Sequence, residues 1–61
     1  MCELKVIINQ KMVFENAIYA KKTESDVFVK DVLGNTKTFK NHTITEVNIP
    51  KEQLILTSTI M

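Results

Sequence analysis

The chain has one thiol, Cys2, and it stands directly after Met1. That adjacency builds a chelate from short covalent spacers. The Met1 amine, the Cys2 amide nitrogen and the Cys2 thiolate can lie in one plane around one ion once the amide is deprotonated. Removal of the initiator methionine would leave a smaller chelate of the Cys2 amine and thiolate. Square-planar and tetragonal N-donor sets suit Ni(II) and Cu(II), and a thiolate adds softness. Zinc prefers a tetrahedral set with more cysteines or histidines than one chain supplies. Two chains pairing at their first strands would bring two thiolates to one ion. A plainer role stands beside this one. Free cysteine behaves as a small buried hydrophobe, and Cys2 shares strand parity with Leu4, Val6 and Ile8. Spacing alone favours that core role.

The other candidates are few. His42 follows Asn41 and precedes a strand, so it reads as a solvated loop histidine, with a supplementary metal ligand as the sharper alternative. Asp31 and Glu46 fall near turns and read as solvated. One cysteine, one histidine and no recognisable serine–aspartate motif do not assemble a nucleophile, a base and an orienting group. A single glycine cannot build a phosphate-cradling loop. The expectation is a protein that is not an enzyme.

Basic residues interleave with aromatics at Tyr19, Lys21 and Lys22, and again at Lys37, Phe39 and Lys40. Such a pattern can stack and neutralise single-stranded RNA. Solvated strand faces look the same, and composition favours them. The chain carries eight lysines, no arginine and seven acids, for a net charge of +1. Nucleic-acid binders usually show a basic excess, and arginine is the preferred reader of phosphate forks and guanine edges. RNA binding through Lys21, Lys22, Lys37 and Lys40 is therefore the alternative function.

Period two dominates the elements that must position these residues. In "CELKVIIN", Leu4, Val6 and Ile8 share one face, and Glu3 and Lys5 the other. "NQKM" reads as a turn. "VFENAIYAKKTE" reads as a short strand, a break at Glu15-Asn16 and a longer strand from about Ala17. "DVFVKDVLGNTKTFK" is a hairpin with Val27, Phe28, Val29 and Val32 on strand positions. Its turn falls at Gly34-Asn35, residue types that tolerate positive φ, and Thr36 to Lys40 form the return strand. Ile44, Val47 and Ile49 step by three and then two, which predicts a bulge or bend near Thr45-Glu46. Pro50 to Gln53 is a turn with proline at its first central position. Leu54 and Leu56 share a face in the last strand. The three phenylalanines read as core.

These signals predict an all-β fold of about six short strands, a small barrel or sandwich. The 61 residues suffice for a single domain, 1–61. A domain of that size has a marginal core and gains from a metal or a partner subunit. The first and last strands, apolar on one face, make a homodimer through them the expectation, because open sheet edges invite pairing. The first residues lack a charged, apolar and small-residue series typical of a signal peptide, and no apolar run approaches a membrane span. The expectation is a cytoplasmic protein with a reduced thiol and no membrane contact.

The segments "MCELKV", "VFENAIYAKK", "DVFVKDVLGNTKTF" and "ITEVNIPKEQLIL" resemble the CooT-like family, across essentially the whole chain. The most specific element is Met1-Cys2 followed by a β-strand. Members are small proteins, several from archaea, also labelled in bulk as predicted RNA-binding proteins. The resemblance implies an SH3-like or Sm-like barrel that forms a homodimer. It implies Ni(II) at the dimer interface, held through Cys2 with Met1 entering by its amine and backbone. It further implies a metallochaperone-like role in nickel delivery to a client such as carbon monoxide dehydrogenase. The resemblance and the adjacency to the free amine together turn the reading of Cys2 from core residue to ligand.

Overall fold

The computed structural model describes residues 3–60, so Met1, Cys2 and Met61 lie outside the described residues. Six strands follow one another: β1 (Leu4–Ile8), β2 (Lys11–Lys22), β3 (Asp26–Asp31), β4 (Thr36–Lys40), β5 (His42–Asn48) and β6 (Gln53–Ser58). They form one sheet in the order β4-β3-β2-β1-β6-β5. Among the described residues no helix is long and apolar enough to cross a membrane.

Alternation sets the core. Val6, Ala17, Val27, Val29, Phe39, Leu54 and Leu56 are buried, and Leu4, Ile8, Phe14, Ala20 and Ile44 pack against them. The sheet curls around these side chains. Its two edges, β4 and β5, are consecutive in the chain and meet at Asn41, whose φ is 60°. The Asn41 N–H donates to Asp26 Oδ1 (3.1 Å), and the His42 N–H to the Ser25 carbonyl (3.2 Å), tying this corner to the start of β3. β5 also packs against β3. No ladder joins β4 to β5 among the described residues, so the small barrel is open along that seam.

β1 and β6 run parallel, pairing Val6 with Leu54 and Ile8 with Leu56. This corrects the expectation that the first and last strands supply free edges. Each lies inside the sheet with both ladders filled, and the open edges belong to β4 and β5. A homodimer therefore cannot form by backbone pairing at β1 or β6.

Local geometry corrects several element boundaries. The first turn is Asn9-Gln10 alone, both with positive φ (51° and 66°), while Lys11 and Met12 already belong to β2. Positive φ at both central residues is the type I′ geometry whose twist matches a hairpin. The break at Glu15-Asn16 is a kink within one continuous strand. Asn16 takes φ 61°, the ladder to β1 shifts register, and the Asn16 carbonyl accepts the Val32 N–H at 3.0 Å. In the β3–β4 hairpin only Gly34 has positive φ (92°), and the turn is closed by the Gly34 N–H on the Asp31 carbonyl (3.1 Å). Val32 and Leu33 are thus loop residues, and Val32 is not in a strand. The step near Thr45 is a bulge between Ile44 and Glu46, as the spacing required. Pro50 sits at the first central position of a turn closed by the Glu52 N–H on the Ile49 carbonyl (2.9 Å), and Gln53 opens β6.

Candidate functional site

Cys2 and Met1, the expected ligands, lie outside the described residues. What the fold shows is the strand that follows them. Leu4 pairs with Ala17 of β2, and the Lys5 N–H donates to the Glu52 carbonyl at 2.8 Å. β1 is thereby fixed on both sides within one residue pair of its start.

His42 is no loop residue. It opens β5, half-buried, with its ring edge-on to Phe39 at 6.2 Å between centroids. Its Nδ1 lies 2.9 Å from the Lys40 carbonyl, which can only accept, so Nδ1 carries the proton and Nε2 keeps its lone pair when the ring is neutral. No group of three or more His, Cys, Asp or Glu side chains forms a metal cluster among the described residues.

Asp31 is spoken for by its own turn. The Asn35 side-chain amide donates to Oδ2 (3.0 Å), and the Asn35 and Leu33 N–H groups donate to Oδ1 (2.8 and 2.9 Å). The Asn35 side chain foremost, with these backbone donors, holds the Asp31 carboxyl below its ordinary 3.8. Its role is to shape the hairpin. Glu46 is exposed on β5.

The four lysines weighed for RNA divide between the two faces of the sheet. The ladders pair Lys22 with Val27 and Phe39, and Lys37 with Val29, so both lie on the core side at its rim. The Lys22 ammonium donates to the Thr23 and Glu24 carbonyls, and the Lys37 ammonium sits 5.7 Å from the Phe39 centroid. Lys21 and Lys40 lie on the outer face. There the ladders place Lys21, Phe28 and Thr38 in one row, with Tyr19, Lys30 and Thr36 in the next. Phe28 is therefore not core, which corrects the reading of all three phenylalanines. Val27 and Val29 point inward, so the residue between them must point out. That parity was available in the hairpin, but hydrophobicity outweighed it. Tyr19 and Phe28 meet edge-on at 6.3 Å and 72°, and with Lys21, Thr23, Asp26 and Thr38 they line a cavity of about 400 Å³.

A family model described as CO dehydrogenase accessory protein CooT matches residues 1–57. No curated protein matches the chain.

Proposed function

The chain belongs to the CooT family of CO dehydrogenase accessory proteins, and from that premise we propose that it is a nickel-binding accessory protein, acting as a homodimer and not as an enzyme. The observation that carries this is the extent of the match. It begins at residue 1 and so takes in Met1-Cys2, which holds the only thiol of the chain. The donor chemistry fits the ion. An amine, an amide nitrogen and a thiolate joined by short spacers form the planar N,S set that Ni(II) accepts. Two chains sharing one ion would double the thiolate count and give the cargo a site that opens when the subunits part. The client would be a nickel enzyme of the kind the family description names, and the cytoplasm the compartment that keeps Cys2 reduced.

The test is a Ni(II) titration of the protein and of Cys2→Ser, followed by thiolate-to-metal charge-transfer absorption. Saturation at half an equivalent per chain, absent in Cys2→Ser, is the expected result. Tight binding retained by Cys2→Ser would sink the reading. Because the thiolate and amide must lose protons to bind, affinity rises with pH. Repeating the titration at pH 6 and pH 8 should show the weaker site at pH 6.

A further inference from the structure

The outer face of β2–β4 is not used by the nickel reading. We propose that this face docks an extended acidic segment of a partner protein, seating one large apolar side chain in the corner between Tyr19 and Phe28 and placing carboxylates on Lys30 and Lys40, with Lys21 between them. The aromatic corner is the first argument. Tyr19 is 49% exposed, Phe28 is half-buried, and their rings stand at 72° to one another. Two rings at that angle form a notch with one wall a ring face and the other a ring edge. A third aromatic side chain seated there continues the edge-to-face packing that such groups favour. The cavity of about 400 Å³ falls at the lower end of ligand-pocket volumes, room for one large side chain.

Charge complementarity is the second argument. In the paired rows of this face, Lys21, Lys30 and Lys40 stand against a single carboxylate, Asp26. Three cations less one anion is a surplus of two, more than the +1 of the entire chain. Asp26 Oδ1 is moreover occupied, accepting the Asn41 N–H at 3.1 Å and the Ser25 hydroxyl at 3.3 Å. The Lys30 ammonium lies 6.0 Å from the Tyr19 centroid, so a carboxylate drawn to it arrives beside the notch. Lysine presents a compact charge rather than the fork of arginine, and a single carboxylate satisfies it.

Spacing makes the occupant an extended chain. Lys30 and Lys40 lie one row to either side of Lys21-Phe28-Thr38. Adjacent rows on one face are two residues apart, about 7 Å, and alternate side chains of an extended peptide repeat at the same distance. The matching sequence is acid–x–apolar–x–acid, with the apolar side chain in the notch and an acid toward each flanking lysine. The inference rests on the accessory reading for the existence of a client, and it gives the client contact a surface. Nothing in this face includes Cys2, so the peptide and nickel experiments fail separately.

The experiment is fluorescence anisotropy of a short labelled peptide, SDSFSDS, with the full metal-free chain at low salt. Expected is saturable binding with a Kd below about 1 mM, weakening as salt screens the exposed charges. Lys30→Gln and Lys40→Gln should each weaken binding about twofold to fivefold. Tyr19→Ala, or the peptide SDSSSDS with its anchor removed, should weaken it about fivefold or more. The peptide SDDSFSS, of the same composition with its acids moved together, should bind about twofold or more weakly, since one acid loses its lysine. Lys22→Gln and Lys37→Gln, on the other side of the sheet, should bind as the parent does, and so should Cys2→Ser. Amide shift changes on titration should cluster at Tyr19, Lys21, Phe28 and Thr38, a readout that needs no variant to fold. No saturable binding would overturn the proposal. So would equal losses from Lys22→Gln and Lys30→Gln, since bulk charge would then suffice. Equal affinity for SDDSFSS would remove the extended register. Displacement of the peptide by a lower concentration of a short oligouridylate would overturn the peptide in favour of nucleic acid.

Discussion

At the residue scale, the clearest consequence lies in Asp31. Its carboxylate collects three donors within the β3–β4 turn, and its pKa lies below 3.8. A depressed folded-state value means stability that is present above the unfolded value and lost as pH falls through the folded one. Asp31→Asn should therefore unfold at lower urea than the parent at pH 7. The gap should narrow in acid, where the parent carboxylate is protonated. An equal gap at pH 7 and pH 3 would remove the charge from the account. Residue identity was legible where chemistry is local. Asp and Asn beside Gly34 announce a turn. It was not legible where a neighbour on another strand decides. His42 reads as solvated until β4 turns at Asn41 and brings Phe39 against its ring. Phe28 reads as core until the ladder puts it outside with Tyr19.

At the element scale, the turns carry the strain. Gln10 and Glu52 hold φ of 66° and 55°, where a side chain costs about 1 kcal/mol or more relative to glycine. Gln10→Gly completes the Asn-Gly pair that type I′ hairpins prefer. It should raise the urea midpoint, by less than about 1 kcal/mol once the looser unfolded chain is counted. Gly34→Ala runs the other way. A methyl group there meets nothing within 4 Å, so backbone strain at φ 92° is its whole cost, about 1 kcal/mol. A neutral Gly34→Ala would mean that the loop relaxes to another turn. The strands themselves were legible because alternation of Val6, Val27, Val29, Leu54 and Leu56 is a local signal. Two features were not. The kink at Asn16 resembled a strand end, because a bulge and a break both interrupt period two. The parallel pairing of β1 with β6 joins opposite ends of the chain, and no spacing within either strand encodes its partner.

At the scale of the whole molecule, a small core leaves little stability in reserve. A chain of this length holds about 3–9 kcal/mol at typical per-residue values. Leu56, 1% exposed, is one of the seven buried hydrophobic side chains among the described residues. Leu56→Ala should cost about 2–5 kcal/mol, enough to leave much of a monomeric population unfolded. Val47→Ala, at a position 53% exposed, should shift the midpoint little. Such a chain benefits from anything that binds only the folded form. If two folded chains share one ion, folding and association are linked. The urea midpoint should then rise with protein concentration, each tenfold step adding about 1.4 kcal/mol per dimer. Ni(II) should raise it further in the parent but not in Cys2→Ser, and a chelator should reverse the gain. β1 and β6 have no free edge, so a dimer that added a strand could do so only at β4 or β5. If the shared ion alone joins two chains, substitutions that block backbone pairing at the open edges, on β4 or β5, should leave the concentration dependence intact. A midpoint that is flat with concentration while nickel still saturates would place the ion on one chain. The shared site would then be excluded, and the chelate of Met1 and Cys2 would have to suffice alone.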